Sequence, residues 1–319
     1  MKLPSALSRT LLCIAGPTAS GKTAVACQVA RRLPVETLSC DSMQVYRGMG
    51  ILTQAPTRAE RRALNLHLAE FVDPSREYSA ARFAGSARRV IAAAQREHRL
   101  PMIVGGTGLY FRALLDGLFE QKDDDGRDEA IRRRLGLEEQ EHGPGYLHRR
   151  LSDVDPPAAA RIHPNDVRRL IRALEVYEKT GRPISQLQTT RSGLRSDHRV
   201  VYVMLDRQRE DLYRRIGERV DRMLEEGLVR QVERLRKRRL GRTAAVALGL
   251  REISAHLAGE CPLSEAVERL KMNTRRYAKR QLSWFRHEKG VSIVAVPPLE
   301  SPARTAARIV ALLRQQVRG

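Results

Sequence analysis

The chain has 319 residues, 42% of them hydrophobic and 30% charged, which is typical of a globular protein with one sizeable core and a smaller appendage. The 58 Lys and Arg residues against 37 Asp and Glu give a net charge of +21, which favours nucleic acid over an incidentally basic surface or an anionic membrane. The four cysteines include no CxxC pair, which excludes the usual patterns of a zinc site or a disulfide framework. The apolar runs are shorter than the about 18 residues that a spanning helix needs. We therefore expect a cytoplasmic protein without membrane contact.

The first third alternates short apolar runs with helical segments. The runs Leu11–Ala15, Val35–Ser39 and Pro101–Val104 predict strands, and a helix is predicted from Lys22 to about Leu33. The first run is short and leads straight into a glycine-rich turn, which indicates a buried strand and not a signal peptide. This alternation is typical of a parallel sheet with helices on both faces.

The turn after the first strand is GPTASGKT, residues 16–23, which matches the P-loop pattern G-x-x-x-x-G-K-[ST] in full. Gly16 and Gly21 let backbone N–H groups turn inward around phosphate oxygens, and the start of the next helix adds attraction for an anion. Lys22 adds a positive charge, and Thr23 offers a hydroxyl to a magnesium ion. The motif predicts a phosphate site without naming the reaction, since most P-loops hold ATP or GTP.

Two polar residues follow the next two predicted strands. Asp41 faces the crevice where open α/β sheets bind ligands, and it could act on a nucleophile or form an Asx turn or a helix cap. In IVGGTGLY, residues 103–110, Gly105 and Gly106 permit close chain approach or positive φ. Thr107 is the one hydroxyl in that turn, and by itself it is more often a helix cap than a catalytic group.

The rest of the chain is mostly helical. After the charged segment QKDDDGRDE a helical pattern continues to TGRPIS, and Val201–Leu205 restores a strand. We therefore predict an α/β fold, with a P-loop parallel-sheet core domain of residues 1–120 and 196–319, helices on both of its faces, and a smaller all-helical insertion domain of residues 121–195.

Beyond that strand, hydrophobic residues recur at spacings of three and four and predict an amphipathic helix: Leu212, Ile216, Val220, Met223 and Leu224. Val291–Val296 predicts a last strand. Asp206 could be a magnesium ligand at a strand end, but we interpret it as the cap of the helix that follows. The basic run Arg234–Arg242 is interpreted as a solvated surface, with phosphate contact as the second interpretation.

Five phrases, GPTASGKT, DSMQVYRGM, IVGGTGLYFRALLDGL, IHPNDVRRLIRALEVYEKTGRPIS and NTRRYAKRQLSWF, together resemble bacterial tRNA dimethylallyltransferases. They occur in that family's order and cover most of the chain. The resemblance implies transfer of a dimethylallyl group from dimethylallyl diphosphate to N6 of the adenosine beside the 3′ end of the tRNA anticodon, with release of diphosphate. It also implies Mg²⁺ as cofactor and the anticodon stem-loop of tRNA as partner. We expect a monomer.

The resemblance assigns roles to the residues of the predicted phosphate site. The diphosphate would be bound by Gly16, Thr18, Ala19, Ser20, Gly21, Lys22 and Thr23, joined by Arg215 and Arg219. Thr23 would also bind the metal ion. Asp41 would accept a hydrogen bond from the adenine N6 and act as general base, and Thr107 would help to position the transferring group. The target base must leave its stack to reach such a pocket.

The resemblance also implies a set of tRNA contacts, made by Asp41, Ser42, Met43, Gln44, Thr107, Arg132, Arg168, Arg169, Leu170, Ile171, Arg172, Val246, Gly249 and Arg251. In one stretch, Asn165 or Asp166 can cap a helix on which Arg168 and Arg172 share a face. Leu170, Ile171 and Leu174 remain free to pack against the core. A solvated arginine face is the alternative for this helix.

Some positions depart from the family's usual pattern. The chain reads GMGILTQAPT where the family usually has GMDIGTAKPT, so Gly50 replaces an acidic residue and Leu52 a glycine, while Gln54 and Ala55 replace an Ala-Lys pair. Leu250 stands where an aromatic residue is common, and the DDDG loop replaces a proline-containing segment. These changes bear on tRNA contacts and substrate affinity and leave the predicted catalytic residues in place.

Two other functions are compatible with parts of this pattern. A small-molecule or nucleoside kinase would use the P-loop for ATP and Asp41 to deprotonate a hydroxyl. A non-catalytic RNA-binding module would use the P-loop only to sense a nucleotide. The five family phrases favour prenyl transfer over both.

Overall fold

The structure is a computed structural model that describes residue 7 and residues 9–118, 127–190 and 193–318. The chain divides into two compact units, the first formed by Met1–Leu114 and Arg195–Gly319 and the second by Leu115–Leu194. The acidic DDDG segment, residues 123–126, lies outside the described residues.

One six-stranded parallel sheet forms the centre of the first unit, with the strand order β3-β2-β4-β1-β5-β6. Its strands are β1 (Thr10–Ala15), β2 (Val35–Cys40), β3 (Leu66–His67), β4 (Leu100–Gly105), β5 (Arg199–Asp206) and β6 (Val291–Ala295). The five predicted strands are present. The sequence analysis missed the two-residue β3, because a strand so short has no alternation to detect.

Sixteen α-helices lie within the residues described. The first eight are α1 (Lys22–Ala30), α2 (Gly50–Thr53), α3 (Arg58–Leu64), α4 (Ala80–Arg96), α5 (Gly108–Leu115), α6 (Glu129–Glu141), α7 (Tyr146–Val154) and α8 (Pro156–Ala159). The others are α9 (Val167–Thr180), α10 (Ile184–Leu187), α11 (Arg209–Glu225), α12 (Leu228–Arg236), α13 (Arg242–Ala245), α14 (Leu250–Leu257), α15 (Leu263–Arg286) and α16 (Pro302–Arg318).

Helices cover both faces of the sheet, as alternate residues of β5 demonstrate. On one face Val201, Val203 and Leu205 join a buried cluster that includes residues of α1 and α16. Tyr202, between them, points to the other face and lies 5.1 Å from the ring of Phe111 in α5. Each fully buried side chain of this size contributes about 1.5–3 kcal/mol to stability. The predicted α/β class is confirmed.

The register of the strands brings three strand ends to one edge. Ala15 of β1 pairs with Gly105 of β4, and Gly105 pairs with Cys40 of β2. The glycine-rich loop, Asp41 and Thr107 begin just beyond these three residues. Parallel strands therefore deliver the predicted phosphate loop and both predicted catalytic residues to the same crevice.

The second unit has a helical core of its own. Its apolar cluster consists mainly of buried residues from α6, α7 and α9, among them Leu135, Leu147, Leu151, Leu170 and Leu174. Helix α9 begins as predicted, because the Asp166 side chain accepts a hydrogen bond from Arg169 N.

Candidate active site

The loop between β1 and α1 has the backbone of a phosphate cradle. Gly16 and Gly21 have φ angles of +151° and +91°, which L side chains rarely adopt. A Cβ on Gly16 would lie 3.0 Å from Leu205 O and 3.0 Å from Ser20 Oγ, so a side chain here would also be crowded. The two glycines therefore permit the loop conformation that the sequence motif predicts.

Lys22 is folded over this loop. Its ammonium donates to Gly16 O at 2.9 Å and to Pro17 O at 2.6 Å. Burial and, to a smaller extent, the charge of Arg219 lower the pKa of Lys22 to about 7, against the opposing effect of the charge of Asp41. The Asp41 carboxylate therefore lies within electrostatic reach of Lys22, on the same side of the sheet.

Three arginines brace three successive residues of the loop. Arg207 Nε donates to Ser20 O at 2.9 Å, Arg215 Nε to Ala19 O at 3.0 Å, and Arg219 Nη1 to Thr18 Oγ1 at 3.0 Å. Burial lowers the pKa of Arg219 to about 10, against the opposing effect of Asp41. The structure thus brings the predicted Arg215 and Arg219 to the P-loop.

Arg207 was not among the predicted site residues. It is buried and donates from Nη1 to Asp211 Oδ2 at 2.9 Å, in the first turn of α11. Burial raises the pKa of Asp211, but hydrogen bonds from Arg214 and Arg207 outweigh this and hold it below its usual value. Only the fold shows this buried pair, since Arg207 resembles any other basic residue in the sequence.

The interpretation of Asp206 as a helix cap is wrong. Helix α11 begins after Gln208, which makes no side-chain cap. The Asp206 carboxylate instead accepts from Arg286 Nη2 at 3.1 Å. Asp206 therefore links the end of β5 to the end of α15.

Asp41 forms a tight Asx turn at the end of β2. Its Oδ1 accepts from Met43 N at 2.9 Å and from Gln44 N at 3.3 Å. Within the described residues, no hydrogen bond engages Oδ2. The turn therefore orients the carboxylate and leaves one oxygen for a proton or a donor.

Thr107 lies against the same turn. Its Oγ1 accepts from Ser42 N at 3.0 Å, and its N–H donates to Cys40 O at 3.2 Å. Burial, followed by the charge of Asp41, raises the pKa of Tyr277 in α15, against the opposing effects of Arg280 and of the Thr107 side chain. The structure thus brings Asp41, Ser42 and Thr107 together.

Gln44, the last residue of the predicted DSMQ contact, has its side chain engaged by the protein. Its Nε2 donates to Gln54 O at 3.1 Å, and its Oε1 accepts from Ser39 Oγ at 3.1 Å. The amide holds the segment around α2 against the end of β2. This is a structural contact that the phrase resemblance did not reveal.

The second glycine turn is shaped by close approach. A Cβ on Gly105 would lie 2.0 Å from Cys40 O, and one on Gly106 would lie 2.3 Å from Gln281 Nε2. Neither residue has a positive φ. Of the two explanations left open by the sequence, close chain approach is the one that holds.

A divalent cation would find hydroxyl groups and few acidic groups here. Among the residues described, no group of three or more His, Cys, Asp or Glu could hold a metal ion. Ser20 Oγ is buried without a hydrogen-bond partner in the described part of the chain, and Thr23 at the start of α1 is half-buried. This donor set fits Mg²⁺, which keeps several waters and is commonly bound through substrate phosphates with few protein ligands.

In the second unit, two predicted tRNA residues hold a buried carboxylate. Arg132 donates to Glu175 through both Nε and Nη2 at 2.8 Å, and Arg172 donates at 2.8 Å. Burial raises the pKa of Glu175, but the hydrogen bonds from Arg132 and Arg172 lower it to about 2. These arginines therefore have a structural partner in the unit itself.

Other predicted tRNA residues of α9 differ in exposure. Arg168 and Arg169 are exposed. Leu170 is fully buried in the helical core, so the prediction that it contacts tRNA is wrong for its side chain. Ile171 is partly buried and packs against the same core. The alternative role given to the leucine, packing, is the one the structure shows.

The stretch before α14 shows the same contrast. Val246 is 71% exposed, and Arg251 is exposed. Gly249 is buried, and a Cβ there would lie 2.9 Å from Leu52 Cδ1, so the protein itself covers this glycine. Leu52, a departure from the family pattern, fills the space over this glycine, and Leu250, another departure, is also buried.

No helix among residues 7, 9–118, 127–190 and 193–318 is long and apolar enough to cross a membrane.

Comparison with known proteins gives consistent matches. A family model described as IPP transferase matches residues 44–288. The tRNA dimethylallyltransferase of Geobacter metallireducens is 48% identical over 291 residues, covering 90% of this chain and 93% of that relative. The tRNA dimethylallyltransferase of Symbiobacterium thermophilum is 44% identical over 319 residues, covering 99% and 97%.

Solved structures match as well. The full-length tRNA isopentenylpyrophosphate transferase of Bacillus halodurans superposes with a TM-score of 0.69 at 38% identity, over 97% of this chain and 98% of that chain. A eukaryotic dimethylallyltransferase acting on tRNA superposes with a TM-score of 0.76 at 28% identity, over 95% of this chain and 77% of that chain.

Proposed function

Since the chain belongs to the IPP transferase family, as the five sequence phrases indicated, we propose that it transfers a dimethylallyl group from dimethylallyl diphosphate to N6 of the adenosine 3′-adjacent to the tRNA anticodon. The observation that carries the proposal is the meeting of a phosphate cradle and a carboxylate at one sheet edge. Asp41 lies within electrostatic reach of both Lys22 and Arg219.

On the donor side, the P-loop binds the diphosphate through its backbone N–H groups and Lys22. The bond between the allylic carbon and the diphosphate oxygen breaks, and negative charge builds on the leaving group. Arg215 and Arg219, which already contact the loop, stabilise that charge. Electrostatic stabilisation of this kind is commonly the largest contribution to rate.

On the acceptor side, the adenine leaves its stack and places N6 near Asp41. N6 forms the new bond to the allylic carbon and loses a proton, which Asp41 accepts as general base through the oxygen that the turn leaves available. Thr107, held by Ser42 N, lies beside that carboxylate turn and positions the reacting groups.

Mg²⁺ fits the donor set at the start of α1. The Thr23 hydroxyl would be its protein ligand, with diphosphate oxygens and water completing the shell. When bound, the ion neutralises charge on the departing diphosphate. Ser20 Oγ supplies a further buried polar group at the loop.

The tRNA would be bound mainly by basic, exposed side chains. In the second unit, which we propose is the insertion domain, Arg168 and Arg169 of α9 are suited to phosphate contact, and in the first unit Arg251 is. The net charge of +21 supports such contacts. We propose that the protein acts on the anticodon stem-loop as a cytoplasmic monomer.

A direct test incubates the purified protein with Mg²⁺, dimethylallyl diphosphate and unmodified tRNA carrying A or G beside the anticodon. Nucleoside mass spectrometry should show dimethylallyl adenosine only in the tRNA with A. A parallel reaction with ATP tests the kinase alternative. Absence of the modified nucleoside together with ATP turnover independent of tRNA would reject the proposed function.

A further inference from the structure

Helix α15 carries one amide on its buried face. Buried residues recur along this helix at spacings of mostly three and four: Ala266, Val267, Leu270, Thr274, Ala278, Gln281 and Phe285. Gln281 is only 6% exposed. A buried amide is unfavourable unless its donor and acceptor are both paired, so a glutamine at this position has a specific partner requirement.

Both ends of the Gln281 amide are paired, and the two partners belong to different halves of the site. Oε1 accepts from Thr18 N at 2.8 Å, in the P-loop. Nε2 donates to Gly106 O at 2.8 Å, in the turn that carries Thr107. One planar group therefore joins the loop that holds the donor to the turn on the acceptor side.

The turn is built to admit this amide. A Cβ on Gly106 would lie 2.3 Å from Gln281 Nε2, so the glutamine packs directly on bare backbone. Four residues earlier on the same helix, Tyr277 interacts with the Thr107 side chain. Helix α15 thus holds two consecutive residues of the turn and one residue of the P-loop.

We propose that Gln281 is a positioning residue for the transfer, which sets the distance and direction between the allylic carbon and the adenine N6. This inference rests on the proposed function. Gln281 exchanges no proton with the substrates. Its effect is on alignment, and a misplacement of about 1 Å between reacting groups can cost about 100-fold in rate.

The test uses two variants and a matched control. Gln281→Met keeps the length and removes both hydrogen bonds, whereas Gln281→Glu keeps an acceptor for Thr18 N and sets a carboxylate oxygen against Gly106 O. Gln95→Met makes the same change near the end of α4, where Gln95 lies 3.4 Å from His198 Nε2 just before β5, at the opposite edge of the sheet.

Single-turnover transfer is measured at saturating substrates, with the Kd of dimethylallyl thiodiphosphate and of tRNA determined separately. For Gln281→Met we expect the rate to fall about 10- to 100-fold while each Kd changes less than about threefold, because each half of the site stays intact. Gln95→Met should keep the wild-type rate.

The pH profile of Gln281→Glu gives a second readout. When the introduced carboxyl group is protonated, it can accept from Thr18 N and donate to Gly106 O as the amide does. Its rate relative to wild type should therefore recover as pH falls. If Gln281→Met fails to fold, this pH profile by itself tests whether Gln281 is a positioning residue.

Three results would overturn the inference: a wild-type rate in folded Gln281→Met, a loss explained entirely by weaker binding of one substrate, or a pH-independent deficit in Gln281→Glu. If the wild-type protein itself transfers no dimethylallyl group, both the proposed function and the positioning role of Gln281 fail. If the wild type is active and Gln281→Met is equally active, only the positioning role fails.

Discussion

The depressed pKa of Lys22 makes diphosphate binding sensitive to pH near neutrality. Burial, helped by Arg219 and opposed by Asp41, lowers this pKa from 10.5 to about 7. A lysine in water stays charged throughout this range, but here a large share of the free protein has a neutral Lys22 above pH 7. A diphosphate favours the protonated form, so binding takes up a proton and weakens as pH rises.

The size of the effect follows from the pKa of about 7. Relative to a protein whose Lys22 is fully protonated, diphosphate binding that requires the charged form is weaker by about 1.1-fold at pH 6 and by about 11-fold at pH 8. The affinity at pH 8 is therefore about tenfold lower than at pH 6, which is about 1.4 kcal/mol of binding free energy. The ligand titrates as well, so the reference is Lys22→Arg, whose guanidinium stays charged at both pH values.

Calorimetric titration with dimethylallyl thiodiphosphate at pH 6, 7 and 8 and constant ionic strength measures this ratio. The Kd of wild type divided by that of Lys22→Arg should rise about tenfold from pH 6 to pH 8. Buffers of different ionisation enthalpy should report uptake of about 0.9 proton by the wild type at pH 8. A ratio constant within twofold, with no proton uptake, would refute the reasoning.

Three further changes test other contacts. Glu175→Gln leaves Arg132 and Arg172 beside a neutral amide in a fully buried position and should lower the free energy of unfolding in urea by about 2–4 kcal/mol. Because the pKa of Glu175 is depressed to about 2, the wild-type advantage should be full above the ordinary carboxyl pKa of 4.5 and lost as pH falls toward 2. Gly106→Ala places a methyl group 2.3 Å from Gln281 Nε2 and should slow transfer about tenfold or more, whereas Gly85→Ala, with nothing within 4 Å, should not. Thr107→Val removes the acceptor for Ser42 N and should reduce the single-turnover rate about 10- to 100-fold with little change in donor Kd.

Local sequence patterns predicted the parts of the fold that depend on local chemistry. The P-loop follows from Gly16, Gly21 and Lys22, because only glycine readily supplies the backbone angles that the cradle needs. The five longer strands follow from apolar runs between helical segments. Asp41 lies at a strand end, and the parallel order of β1, β2 and β4 then brings it to the same edge as the P-loop.

Contacts between distant segments could not be predicted in the same way. Gln281 lies on α15 and meets Thr18 and Gly106 only because the sheet brings both loops under that helix. The one signal available was a polar residue in step with the apolar face of an amphipathic helix. Arg207 gave no such signal, since the contact that places it at the P-loop is made with a backbone atom, Ser20 O.

The resemblance to a family also assigned tRNA contact to two positions whose burial does not favour it. It assigned tRNA contact to Leu170 and Gly249, both of which are buried. Matching phrases identify stretches of chain, whereas contact depends on which side of a helix or turn each residue faces.

Single-turnover transfer by Asp41→Asn tests the central claim most directly, because this change removes the base and keeps the size of the side chain. With Mg²⁺, saturating dimethylallyl diphosphate and unmodified tRNA, the account predicts a rate about 10²- to 10⁴-fold below wild type, with the Kd of both substrates nearly unchanged. A rate within threefold of wild type in this variant would contradict it.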